Sequence, residues 1–125
     1  MLKSYKELIV WQKSIDFTVE IYRVTRNFPR EELFGLTSQI RRAAEAIPAN
    51  IAEGYCRGHK PEYIQFLKIS YSSGAETETH LIIANKIGYL QEKDFQKLIT
   101  DLTEIMKMLN SLIQKLYPPT LKPCP

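Results

Sequence analysis

Apolar residues recur at steps of three and four in four long stretches of the chain, separated by short runs that contain proline or glycine. The breaks fall at Phe28-Pro29, Gly35, the stretch from Gly54 to Pro61, Gly88 to Lys93, and Tyr117-Pro118-Pro119. The first stretch, about Ser4 to Phe28, carries Leu8, Trp11, Ile15, Val19 and Tyr22 on one side of a helix, and Ser4 with Glu7 reads as a capping box. The second, about Leu36 to Cys56, repeats the spacing with Leu36, Ile40, Ala43, Ala44, Ile47 and Ile51, and Thr37 or Ser38 suits its start. Its period runs through Pro48, which lacks an N–H and crowds the carbonyl of Ala44; a kink is expected, with a break into two short helices as the alternative.

The third stretch opens with Pro61 and Glu62 and lines up Tyr63, Phe66, Leu67, Ser70, Gly74, Thr77, Leu81 and Ala84. Its small middle, Ser70, Ser73, Gly74 and Thr77, predicts the close approach of a neighbouring helix. The fourth, about Lys93 to Leu116, has a seam of Phe95, Leu98, Leu102, Ile105, Leu109, Leu112 and Leu116. Helices of this length span roughly 30 to 40 Å and their connections are short. The pattern predicts an all-α, antiparallel up-down four-helix bundle over residues 1–117, followed by a Pro-rich C-terminal tail over 118–125. No stretch alternates as a half-buried strand does, which argues against a β fold.

Helix one has a second apolar stripe, Val10, Phe17, Ile21, Val24 and Phe28, set roughly 140° or more from the Ile15 line. If the Ile15 line faces the bundle core, the second stripe faces water, where such a patch is costly and aggregation-prone. The expectation is self-association through Val10, Phe17, Ile21, Val24 and Phe28, met by the outer strip of helix two, where Ala46 and Ala49 lie between Arg42 and Glu53. The alternatives are a wide apolar arc covered within the protomer by the segment 29–36, and alanines that merely suit an exposed helix. On the first expectation, Phe17→Asp or Ile21→Asp dissociates the oligomer.

A length of 125 residues with 44% hydrophobic and 25% charged residues and only five glycines suits one soluble globular domain, with no need of disulfides or a metal to hold it. Apolar runs too short to span a membrane and first residues without a signal peptide's apolar block give the expectation of a cytoplasmic chain with no membrane partner. Cys56 and Cys124 share no motif spacing and read as free thiols.

Catalytic chemistry finds no foothold. No Glu-x-x-His pair stands where a carboxylate-bridged metal would need one, and Glu76 with His80 reads as a surface hydrogen-bonded pair. No nucleophile motif or phosphate-binding glycine loop is present. The reading is a protein that is not an enzyme, with no catalytic residue, no cofactor and no metal.

Arginine is more informative. All six (Arg23, Arg26, Arg30, Arg41, Arg42 and Arg57) lie between positions 23 and 57 and, with Lys60, form a regional excess of positive charge, whereas basic and acidic residues balance after position 69. Guanidinium groups bind phosphates through paired hydrogen bonds, so these seven residues are the candidate nucleic-acid contacts.

The run Leu36-Thr37-Ser38-Gln39-Ile40-Arg41-Arg42-Ala43-Ala44, followed by Ile47-Pro48-Ala49-Asn50-Ile51-Ala52-Glu53-Gly54, resembles the signature of the four-helix bundle family named for proteins encoded in intervening sequences of 23S ribosomal RNA. The resemblance extends to Trp11-Gln12, to Glu76-Thr77-Glu78-Thr79-His80-Leu81 and to Gly88-Tyr89-Leu90, covering about residues 5–116. That family is similar in fold to the accessory variability determinant proteins of diversity-generating retroelements, which form a homopentameric barrel with a basic surface and bind nucleic acid and a reverse transcriptase. The resemblance therefore implies a ring-shaped homo-oligomer, a pentamer, with nucleic acid or a reverse transcriptase as partner.

Two functions compete at this point. The first is a non-enzymatic homo-oligomeric scaffold that binds RNA or DNA through a basic surface with little base specificity. The second is a protein-interaction module that recruits a protein partner without nucleic acid. A helix-turn-helix reader around Pro48 to Lys68 is disfavoured, because the third helix is long and its inner face is apolar or small.

Overall fold

The computed structural model describes residues 2–117. Four helices, α1 (Ile9–Thr25), α2 (Leu36–Cys56), α3 (Lys60–Lys86) and α4 (Glu92–Leu116), follow one another, with 3-10 turns at Tyr5–Glu7 and Arg30–Glu32. Each helix packs on its neighbours in the cyclic order α1, α2, α3, α4 and back to α1. The pairings descend along one helix as they climb the next. Thr25 meets Arg41 and Thr18 meets Ala44, Gly54 faces Phe66 and Ser70 faces Ile47, and Lys13 meets Glu104 while Arg23 meets Asp94. The result is an up-down-up-down bundle. The proposed tail, 118–125, and Cys124 within it lie outside the described residues; Cys56 is an exposed free thiol.

Helix α1 is shorter than its pattern predicts. Ser4 accepts from Lys6 N–H at 3.1 Å, but it caps the 3-10 turn, and the backbone turns extended at Leu8 before α1 begins. Helix α2 runs unbroken through the buried Pro48. The Ala44 carbonyl, which proline deprives of its helical donor, is met from α1 by Thr18 Oγ1 at 3.3 Å, a hydroxyl that also lies 2.7 Å from Ser14 O.

The small residues of α2 and α3 do what their size suggests. A Cβ on Gly54 would lie 2.6 Å from Phe66 Cβ, so the two helices meet almost backbone to backbone there. Ser70 Oγ donates to Ile47 O at 2.9 Å across the same interface, and Gly74 gives its space to Met106 of α4.

The assignment of faces on α1 is corrected by the structure. Val10, Phe17, Ile21, Val24 and Phe28 are all buried inside the protomer, with Ile21 fully enclosed, and they form the core with Ile40, Ile47, Leu81, Leu102 and Leu109. They are not available to a second subunit. The Ile15 line instead lies on the flank towards α2: Leu8, Trp11, Ile15 and Tyr22 are half-buried and Val19 is 64% exposed. The physical reason is continuity. With Ser14 included, positions 10, 14, 17, 21, 24 and 28 make an unbroken helical stripe, and the Ser14 hydroxyl enters the core because it donates to Trp11 O at 2.8 Å. Of the strip on α2, Ala46 is half-exposed and Ala49 and Arg42 are exposed, so that outer face does remain open.

Candidate nucleic-acid interface

The connection between α1 and α2 builds a basic concavity. Helix α1 ends at Thr25 with Arg26 at its C-cap, Phe28 turns back into the core, and Pro29 opens the 3-10 turn that carries Arg30. Together with Leu33 and with Thr37 and Arg41 of α2, these residues enclose a cavity of about 310 Å³. Three arginines, Arg26, Arg30 and Arg41, are among the residues that line it, and no Asp or Glu is.

Arg41 is held in place. Its Nε donates to Thr25 Oγ1 at 2.9 Å, and its guanidinium lies 4.5 Å from the centre of the Tyr22 ring. The Tyr22 hydroxyl donates to Glu45, a hydrogen bond that raises the phenol's pKa above its ordinary value. Thr25 Oγ1 in turn donates to Ile21 O at 2.7 Å. This chain of contacts leaves the two terminal nitrogens of Arg41 for a ligand, and little side-chain entropy remains to be lost. The turn carries two acidic side chains: Glu31 is exposed, and Glu32 accepts from Leu36 N–H at 3.2 Å and from the Tyr89 hydroxyl at 3.1 Å.

The remaining members of the predicted basic set are scattered. Arg23 pairs with Glu20 at 2.6 Å and with Asp94 of α4 at 3.3 Å. Arg42 is exposed on the outer face of α2, turned about 100° from its neighbour Arg41. Arg57, at the C-cap of α2, and Lys60, the first residue of α3, lie at the far end of the bundle. There Arg57 meets Glu53 at 2.8 Å and Glu62 at 3.7 Å and lies over the Phe66 ring. The structure thus brings Arg26, Arg30 and Arg41 together and sets Arg23, Arg42, Arg57 and Lys60 apart. Thr25 and Tyr22, which hold Arg41, carry no sequence signal of that role; only the folded pairing of α1 with α2 reveals it.

Two other features complete the surface. An apolar groove of about 450 Å³ runs between the start of α1 and the end of α4, with Ile9, Met108 and Leu112 in its wall and Lys107 and Lys115 at its rim. Glu76 and His80 form the expected i, i+4 contact at 3.3 Å. Among the described residues no group of three or more His, Cys, Asp or Glu side chains could hold a metal ion. No helix among them is long and apolar enough to cross a membrane.

No curated protein matches the chain. A crystal structure of a protein of unknown function from the S23 ribosomal protein family of Bacteroides thetaiotaomicron is similar to it, with 30% sequence identity and a TM-score of 0.78 over 84% of this chain and 95% of that one. The profile of the 23S rRNA-intervening sequence proteins matches residues 6–111. With that match across most of the bundle, the chain belongs to the 23S rRNA-intervening sequence protein family.

Proposed function

We propose that this protein is a non-enzymatic cytoplasmic scaffold that assembles with copies of itself, as a ring of five, and holds RNA or DNA by its phosphates with little base specificity. The observation that supports the reading is the concavity lined by Arg26, Arg30 and Arg41 and by no Asp or Glu. Assembly multiplies that site around the ring, so that a modest charge on each subunit becomes a high local one. The burial of Val10, Phe17, Ile21, Val24 and Phe28 moves the subunit contact to other surfaces. Val19, Phe34, Ile83 and Ile87 are apolar and exposed, Phe34 by 94%. They and the open Ala46–Ala49 strip are the surfaces on which a neighbouring subunit would sit.

The test is a titration of labelled single- and double-stranded RNA and DNA at low and moderate salt, with light scattering on the same samples. Affinity is expected to fall at least tenfold between about 50 and 200 mM salt. Arg26→Ala with Arg30→Ala is expected to weaken binding of every sequence alike. Absence of binding at low salt would remove the nucleic-acid reading, and a monomeric mass would remove the ring.

The apolar groove of Ile9, Met108 and Leu112 favours a second reading, recruitment of a protein partner such as a reverse transcriptase. An apolar trough between two helices, with lysines at its rim, suits an acidic amphipathic helix. Under that reading Met108→Glu abolishes partner binding while Arg30→Ala leaves it intact.

A further inference from the structure

We propose that the Arg26–Arg30–Arg41 cavity receives a terminal phosphate of the nucleic acid, a phosphomonoester at a chain end, in preference to the diesters along the backbone. This rests on the nucleic-acid reading above and names the ligand group for its principal site.

The argument begins with charge. A backbone diester carries a single negative charge and has a sugar on each side, so it is met on an open ridge or groove. A terminal phosphate carries about 1.5 to 2 negative charges at neutral pH, offers three strong acceptor oxygens, and has only one covalent neighbour. It can therefore enter a concavity end-on. The cavity supplies what that group needs: three arginines, from the C-cap of α1, the 3-10 turn and α2, line a space of about 310 Å³. A diester would leave part of that positive charge unmatched.

Thr37, which lines the cavity, is the second residue of α2, but the Glu32 carboxylate already meets the start of that helix at Leu36 N–H and the cavity also borders the C-terminal end of α1, so its positive charge is that of the arginines. Preorganisation points the same way. Arg41 is already fixed by Thr25 and Tyr22, and Glu32 is kept away by the Leu36 N–H and Tyr89. Arg57 shows the contrast: it also has a rigid perch, on Phe66, but two glutamates already satisfy it.

Oligonucleotides of about twelve nucleotides, each labelled at the end not under test, separate the sources of such a phosphate. One arm compares a 5′-phosphate with a 5′-hydroxyl, and the other a 3′-phosphate with a 3′-hydroxyl. At least one phosphorylated end is expected to bind about tenfold more tightly than its hydroxyl twin. That preference is expected to vanish in Arg30→Ala, to shrink in the charge-preserving Arg41→Lys, and to survive in Arg57→Ala. Equal affinity for phosphorylated and hydroxyl ends in both arms, or a preference that survives Arg30→Ala, overturns the proposal and leaves backbone binding standing. If no oligonucleotide binds at low salt, the backbone reading fails, and a nucleoside monophosphate becomes the probe. A rise in melting temperature with that probe, lost in Arg30→Ala, would retain the terminal-phosphate site, and no rise would overturn it.

Discussion

The two sides of α1 are both apolar, yet they do different work. The side that holds Val10, Ser14, Phe17, Ile21, Val24 and Phe28 is sealed in the core, and its one hydroxyl is satisfied by its own helix. The side that holds Trp11, Ile15, Thr18 and Tyr22 is half-buried and sends its polar tips across to α2, where Thr18 reaches Ala44 and Tyr22 reaches Glu45 while its ring supports Arg41. One face supplies stability through area removed from water, and the other supplies register and positions a cation. A hydrophobic pattern scores the two alike because it counts carbons and overlooks where a hydroxyl can find its partner.

Charge substitution is the strongest way to break this contrast. Ile21→Asp places a carboxylate at a fully enclosed site and is expected to cost more than about 4 kcal/mol, enough to unfold the protomer instead of releasing it from a neighbour. Val19→Asp, on the exposed edge of the other side, is expected to leave the fold of the protomer within about 0.5 kcal/mol of the parent while weakening the subunit contact proposed there. Urea denaturation followed by circular dichroism measures both. A folded, soluble Ile21→Asp monomer would restore the interface assignment rejected above.

A hydroxyl deletion has an intermediate effect. Thr18→Val keeps the shape of the side chain and leaves the Ala44 carbonyl without its α1 donor, an expected loss of about 1 to 2 kcal/mol in the same denaturation experiment.

The smallest effect is alkaline. Tyr22 is raised above its ordinary pKa by its hydrogen bond to Glu45, and burial, reinforced by Tyr55, pushes Tyr63 up to about 12. Above about pH 10 the unfolded chain loses these protons before the folded one does, so the stability they contribute is complete below that pH and is lost as pH rises through the folded values. The melting temperature should be flat from about pH 7 to 9 and decline beyond 10, and Tyr22→Phe should make the decline shallower.

Much of this architecture was legible in the sequence. The limits of α2 coincide with the pattern, and α3 and α4 begin within a residue of it, because glycine, proline and the connecting turns punctuate them clearly. The small middle of α3 predicted a closely approaching neighbour without naming it; Ser70 meets α2 and Gly74 meets Met106 of α4, while the close contact at Gly54 of α2 was not anticipated. The phase of α1 was misread because Ser14 was left out of the stripe it completes. The clustering of arginines between 23 and 57 contains the three that line one concavity, but which of them come together depends on the folded pairing of α1 with α2. Arg23 is taken first by Glu20, one turn away, and then by Asp94, 71 positions away, a second partner that no local pattern announces.

The proline in α2 has a consequence for how the chain acquires its structure. In a peptide cut to the span of α2 alone, the Ala44 carbonyl would be left to water, because Thr18 lies outside that span. The opening segment of the protein thus serves as a splint for the next, and the two should be acquired in a single concerted event. Shortening the amino-terminal side past Thr18 would then loosen the backbone that presents Arg41, far from the cut itself.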